Sequence, residues 1–261
     1  MNGAMLQIAT LWWREITRFR RQRSRIIGAF LQPLVFWLLL GGGLSASFRP
    51  PGAAPGTNYV EYFYPGVIVL VLLFTAIFAT ISTVEDRKQG FLQGVLVAPI
   101  TRPTIVMGQA LGGTTLALLQ GVIFLILAPL AGIHLTTSAV AAAILIMALV
   151  AFALTSIGLV IAWRIDSTQG FHAIMNLILI PIWLLSGAFF PATGAPAWLR
   201  WTMRLNPLTY GMAALRQSLY LGATNAGSTV PGFMLALLIT IGFSVATFAL
   251  AASVARRAAA A

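Results

Sequence analysis

Apolar residues fall in long unbroken blocks along this chain, not in the short alternating runs of half-buried strands. Six uncharged runs stand out, at 26–44, 65–84, 103–130, 138–163, 171–190 and 231–254. Each is close to or above the roughly 20 residues needed to cross a hydrocarbon layer about 30 Å thick. A charge at the centre of such a run would cost about 2.5–3.5 kcal/mol on an insertion scale, and none of the six contains Asp, Glu, Lys or Arg. Lipid offers no partner for backbone N–H and C=O groups, so each run is expected to be a helix. The pattern therefore predicts an all-α integral membrane protein with six transmembrane helices.

The segments between the runs carry their own patterns. In 5–21, Met5, Ile8, Trp12, Ile16 and Phe19 recur at helical spacing, while Gln7, Arg14, Arg18 and Arg21 lie mostly on the other side. That describes a basic amphipathic helix suited to a membrane surface; a flexible basic tail would not account for the placement of Trp12 and Phe19. The run 26–44 is followed by Ser45-Ala46-Ser47, but it exceeds the 7–15 apolar residues of a signal peptide, which argues against cleavage. The loop 45–64 is rich in Gly and Pro and is expected to be irregular. Segment 191–230 holds Trp198, Leu199, Trp201, Met203, Leu205, Leu208, Tyr210 and Leu215, broken by Pro191, Pro196 and Pro207. It is too apolar for a solvated loop and too charged for a span, and reads as short helices at the outer interface, or re-entering the membrane, before the last span. The expected organisation is an interface helix over 1–25, a six-span domain over 26–254 and a tail over 255–261. No repeat of 20–50 residues is present.

Composition and charge sharpen this. The chain has 261 residues, 59% hydrophobic and 8% charged, with mean hydropathy +0.92, against about 25% charged residues in soluble domains. The net charge of +11 would suggest nucleic acid in a soluble protein, but no soluble segment is long enough for a binding domain. The charge is instead asymmetric. Arg14, Arg18, Arg20, Arg21, Arg23, Arg25, Arg87, Lys88, Arg102, Arg164, Arg256 and Arg257 fall on one side of a six-span layout, and only Arg49, Arg200, Arg204 and Arg216 on the other. The positive-inside rule then predicts both ends of the chain in the cytoplasm. Cysteine is absent, which removes disulfides, thiol catalysis and Cys-ligated metals.

Candidate chemistry is sparse. Lys88 is the sole lysine, and no Gly-x-x-x-x-Gly-Lys-Ser/Thr loop surrounds it, so the chain is not itself a P-loop ATPase. His134 and His172 fall near opposite sides of the layout and form no metal-ligand pair. Ser186-Gly187 has no histidine at comparable depth on a neighbouring span for an intramembrane protease. No span holds the mid-depth ionisable residue that ion-coupled transporters use. We therefore assign no catalytic residue, metal site or cofactor to this chain. Gly108-x-x-x-Gly112 reads as a helix-packing site.

The most distinctive segment is 84–103, Val-Glu-Asp-Arg-Lys-Gln-Gly-Phe-Leu-Gln-Gly-Val-Leu-Val-Ala-Pro-Ile-Thr-Arg-Pro. Four charges precede a short apolar helix, and Pro99 and Pro103 end it and open the next span. An exposed apolar helix wants a partner surface, although an ordinary interfacial connector fits the pattern as well. This segment resembles the Gly-x-Leu, Leu-x-Val-x-Pro-Ile loop of ABC-2 type transporter permeases. Leu205-Asn206-Pro207-Leu208-Thr209-Tyr210 followed by Leu215-Arg216 is similar to that family's Asn-Pro-Leu-Thr-Tyr motif, and 185–191 to the outer end of its fifth span. Gln93-Gly94 departs from the family, which commonly has a second Glu there. The subgroup most resembled includes daunorubicin-type drug-resistance permeases and nodulation oligosaccharide exporters.

The resemblance implies a transport subunit that is not an enzyme. It implies two copies of a separate nucleotide-binding ATPase carrying ATP and Mg, and a second permease copy, read as a homodimer, though pairing with a different permease stays open. It makes 85–98 the coupling helix, with Glu85, Asp86, Arg87 and Lys88 as polar contacts, Gly90 among the coupling residues and Phe91 and Leu92 filling a groove on the ATPase. Arg164 and Asp166 are a second contact, or a simple charge pair. The interface helix, with Trp12, Arg14, Arg18 and Phe19, would lie beside them, and Asn206, Pro207, Tyr210 and Arg216 would form an outer gate or re-entrant element. The implied substrate is an amphiphilic drug, lipid or glycolipid; the competing reading is a secondary carrier or channel with no ATPase.

Overall fold

The computed structural model describes residues 3–44, 59–91, 94–95, 100–192, 195–221 and 231–257, and all regular structure among them is helical. An N-terminal helix α1 (Gly3–Arg21) leads into the first span, α2 (Arg23–Phe36), which continues through a π turn at Trp37–Gly41 and a last turn at Gly42–Leu44. The next spans are α3 (Tyr59–Lys88), α4 (Arg102–Leu127), α5 (Thr137–Ala162) and α6 (Thr168–Trp183), the last extended by a π turn at Leu184–Ala188. Two short helices, α7 (Ala197–Leu205) and α8 (Pro207–Leu219), precede the last span, α9 (Phe233–Arg257). Six helices are thus long and apolar enough to cross a membrane, and the short helices expected between the fifth and sixth spans are present.

Local chemistry sets the boundaries. Pro103 sits in the first turn of α4, where its missing N–H costs nothing. Thr136 caps α5 by accepting from the Ala139 N–H, and Ser167 caps α6 by accepting from the Gly170 N–H. Two differences from the sequence reading appear. Residues 59–64, expected to be irregular loop, form the start of α3: Tyr59, Phe63 and Tyr64 are buried, and this aromatic packing extends the helix past Pro65. At the other end, α3 runs unbroken through Glu85–Lys88, because nothing interrupts it before Gln89-Gly90, where Gly90 takes the left-handed φ of +75°.

The axis of the bundle is α3. It is apolar all round, as a helix surrounded by others must be, and 94% of its most apolar window is buried, against 22% for the first and last spans. It packs on α2, α4, α5 and α6. Lipid removes the hydrophobic drive between helices, so close contact depends on small residues. A methyl group placed on Gly158 of α5 would lie 2.9 Å from the Thr80 Cγ2 of α3, and one on Gly121 of α4 would lie 2.9 Å from the Leu72 Cδ2.

The same device docks α1, which lies along α4. A methyl on Gly108 would stand 2.7 Å from Leu11 Cβ and 3.2 Å from the Ile8 carbonyl oxygen; one on Gly112 would stand 2.7 Å from Glu15 Cβ. Leu11 packs with Ile105, Val106 and Ala110, and Phe19 with Leu116 and Ala79. The Trp12 Nε1 donates to Thr115 Oγ1 at 3.0 Å. The helix predicted for a membrane surface therefore buries one face on protein, while Met5, Leu6 and Trp13 remain exposed on the other. The Gly108-x-x-x-Gly112 pair receives this N-terminal helix.

Gly108→Val is expected to destabilise α1 docking by about 1–3 kcal/mol and to open Arg14 and Arg18 to trypsin. Gly242→Val, where nothing lies within 4 Å, serves as the control. Equal tryptic rates in the two variants would refute the packing role.

Candidate functional site

At the α1 end of the bundle, charge is concentrated where α1 meets the last turns of α3. Asp86 is 1% exposed and receives two guanidinium groups, the Arg14 Nη2 at 2.6 Å and the Arg18 Nη1 at 2.5 Å. The Arg18 Nη2 also pairs with Glu85 at 2.8 Å. Glu15, buried on the same face of α1 as Leu11 and Phe19, accepts from Ser82 Oγ at 2.8 Å and meets the Arg14 Nη1 at 3.4 Å. Burial pushes the Glu15 carboxyl above its ordinary value of 4.5, against the opposing pull of Ser82 and Arg14. Removing either arginine would leave an under-compensated buried carboxylate, a loss of about 3–5 kcal/mol when such a pair is broken from one side.

The network reaches two loops. The Arg14 guanidinium lies 3.9 Å over the Phe91 ring, a cation–π contact, and Phe91 is still 43% exposed. The Arg87 Nη1 pairs with Asp166 at 2.9 Å, and its Nη2 donates to the Trp163 carbonyl at 2.6 Å. Asp166 therefore meets Arg87, not its neighbour Arg164, because the α5 C-terminus turns toward α3; Arg164 and Lys88 are exposed. Of the residues singled out from the sequence, the structure brings together Arg14, Arg18, Glu85, Asp86, Arg87, Phe91 and Asp166. Trp12 and Phe19 face α4, Gly90 forms the turn, and Leu92 lies outside the described residues. Sequence reasoning missed Glu15 and Ser82, although the four-residue spacing Leu11, Glu15, Phe19 was a signal that Glu15 faces inward.

The opposite end holds a second cluster, built around the place where span 5 breaks. Leu184–Ala188 is a π turn with Gly187 at φ +82°, which leaves carbonyls without helical donors. Neighbouring side chains supply them, the condition for a broken helix at this depth. Asn206 Nδ2 donates to the Ile182 carbonyl at 2.6 Å, while its Oδ1 caps α8 by accepting from the Leu208 N–H at 3.0 Å. The Arg216 Nη2 donates to the Gly187 carbonyl at 3.0 Å and stacks 4.2 Å over the Tyr62 ring. The Tyr62 hydroxyl donates to the same carbonyl at 3.2 Å, and the Tyr59 hydroxyl to that of Phe189 at 3.1 Å. Pro207 starts α8, and the Tyr210 hydroxyl donates to the Arg204 carbonyl at 2.9 Å, tying α8 back to α7.

The sequence profile of ABC-2 type transporters matches residues 6–220, from α1 through α8 and both clusters. The chain belongs to the ABC-2 type transporter family. It is 28% identical over 207 residues to a putative transport permease, ycf38, of Cyanophora paradoxa, covering 78% of this chain and 70% of that one. It is 29% identical over 213 residues to the ycf38 permease of Porphyra purpurea, covering 80% and 72%. Nodulation protein J of Rhizobium leguminosarum bv. viciae is 26% identical over 240 residues, 91% of each chain. This ABC-2 permease is accordingly a membrane-embedded transport subunit and not a catalytic ATPase.

Two outcomes follow from the geometry. Asn206→Ala removes both the α8 cap and the donor to Ile182 and is expected to cost about 1–3 kcal/mol, whereas Asn206→Ser keeps a capping oxygen and loses the donor to Ile182. Melting temperatures falling in the order wild type, Asn206→Ser, Asn206→Ala would bear this out, and equal values for all three would not. A raised Glu15 pKa means the docked helix holds a proton that the undocked one releases. Its contribution is greatest below the ordinary pKa of 4.5 and falls as the pH rises from there to the docked value. Glu15→Gln should flatten the decline of melting temperature with pH above 4.5; an unchanged slope would contradict the burial argument.

Proposed function

We propose that this permease is the membrane subunit of an ATP-driven exporter in a bacterial inner membrane, with the α1 end facing the cytoplasm. An amphiphilic drug, lipid or glycolipid-like substrate leaves the cytoplasm or inner leaflet through a path between two permease copies. The energy comes from ATP hydrolysed with Mg on a pair of separate ATPase subunits. Four observations support this reading: membership in the ABC-2 family, relatives named as transport permeases, the absence of Asp, Glu, Lys and Arg from the middle of the spans, and the bias of positive residues toward the α1 end.

The observation that carries it is the convergence on one surface of α1, the end of span 2, the Gly90–Phe91 turn and the loop between spans 4 and 5 through Asp86, Glu85 and Arg87. A push on Phe91 from a docked subunit would reach α3, the central helix, through Arg14 and Asp86 without crossing a flexible joint. Phe91, held by Arg14 but still accessible, is the contact residue, and Glu85, Arg87 and Asp166 brace it. At the other end, Asn206, Pro207, Tyr210 and Arg216 hold the broken end of span 5 as an outer gate.

Co-expression with a candidate nucleotide-binding ATPase of the ABC class tests the proposal. A stable complex is expected, with ATP hydrolysis stimulated by the permease and that stimulation reduced at least several-fold by Phe91→Ala. Transport by the permease alone in liposomes, driven by an ion gradient without ATP, would overturn the proposal in favour of a secondary carrier.

A further inference from the structure

Helix α7 has three distinct faces. Leu199 and Met203 turn inward, with Met203 1% exposed and its Cε 3.7 Å from the position a Cβ on Gly187 would occupy. Trp198, Trp201 and Leu205, at positions i, i+3 and i+7, share a second face and are 69%, 62% and 79% exposed. Arg200 and Arg204, one turn apart, form a third stripe beside the tryptophans, with the Arg204 guanidinium 5.6 Å from the Trp201 ring. All five carboxylates of the chain, Glu15, Glu61, Glu85, Asp86 and Asp166, lie elsewhere, and none pairs with Arg200 or Arg204 among the described residues. Arg216, the neighbouring cation at this end, is taken up by the Gly187 carbonyl and the Tyr62 ring.

A two-tryptophan wedge flanked by arginines on a short helix has the chemistry of the membrane–water boundary. The rings settle at the headgroup level, and the guanidinium groups reach up to the phosphates. A water-facing helix would not expose three large apolar side chains in a row, and a protein-facing one would not set two uncompensated cations beside them. We infer that α7 is an anionic-phospholipid binding helix. It seats Trp198, Trp201 and Leu205 in the leaflet at the end of the bundle opposite α1, with Arg200 and Arg204 on the headgroup phosphates. Because Met203 packs on the π turn and the Tyr210 hydroxyl holds the Arg204 carbonyl, lipid bound there bears directly on the broken end of span 5. The inference needs only that the chain spans a membrane and stands whether or not the export proposal does.

Two measurements on the intact permease test it. The chain has no native cysteine, so Leu205→Cys carries a single nitroxide label. In vesicles of phosphatidylcholine with phosphatidylglycerol, the label should collide with oxygen far more than with a water-soluble nickel chelate. A label open to the chelate, or shielded from both reagents by protein, would overturn the insertion. In native mass spectrometry, phosphatidylglycerol should bind the Arg200→Gln/Arg204→Gln variant about tenfold more weakly than wild type. Phosphatidylcholine binding should not change, and free glycerol phosphate should not compete. Equal phosphatidylglycerol affinity, or competition by the free phosphate, would refute lipid binding by α7.

Discussion

Everything at the α1 end depends on neutralising one buried carboxylate. Asp86 ends the last turns of the central helix α3 with almost no exposure, and Arg14 and Arg18 of α1 supply its counter-charge. A carboxylate so placed is tolerated only when paired, so α1 cannot leave without exposing α3 to a large penalty. The glycines of α4 make the approach close enough, and Glu15, Ser82 and Phe91 complete the joint. An amphipathic helix that would otherwise float on lipid becomes part of the same body as the two spans it touches.

The far end solves a different problem. Span 5 breaks at a π turn, and its exposed carbonyls are met by Asn206, Arg216, Tyr59 and Tyr62. Two of these come from the start of α3, one from α8 and one is the residue that caps α8, so the central helix participates in both clusters. A 30-residue helix, at 1.5 Å per residue, spans about 45 Å. Its stiffness offers a mechanical route between the surface near Phe91 and the turn near Gly187.

Much of this was legible in the sequence, for physical reasons. Long uncharged runs admit one solution in lipid, so the six spans and their order follow from hydropathy. The prolines at 103 and 207 mark helix starts because a first-turn proline loses no hydrogen bond. What hydropathy does not encode is which polar group meets which. The pairing of Asp166 with Arg87, rather than with adjacent Arg164, depends on the direction in which α5 ends. The role of Gly108 and Gly112 was legible as packing, but not that their partner is α1. The helical start of α3 at Tyr59–Tyr64 was hidden by neighbouring glycines and prolines, and only tertiary aromatic packing explains it. Family motifs identified Asn206 and Arg216 as important, whereas their common task of capping a broken helix emerges from geometry.

The central claim is that α1, the end of span 2 and the start of span 3 form one unit that holds together while the transporter works. Leu11, 9% exposed against α4, reports on that joint most directly. A single cysteine at this position in the cysteine-free chain can be challenged with a polar maleimide, in complex with the proposed ATPase, with and without ATP. Slow labelling in both conditions, rising sharply when Arg14 and Arg18 are both replaced by Gln, is the result this account predicts. Rapid labelling of the otherwise unaltered permease, or a surge on adding ATP, would show that α1 detaches and would contradict it.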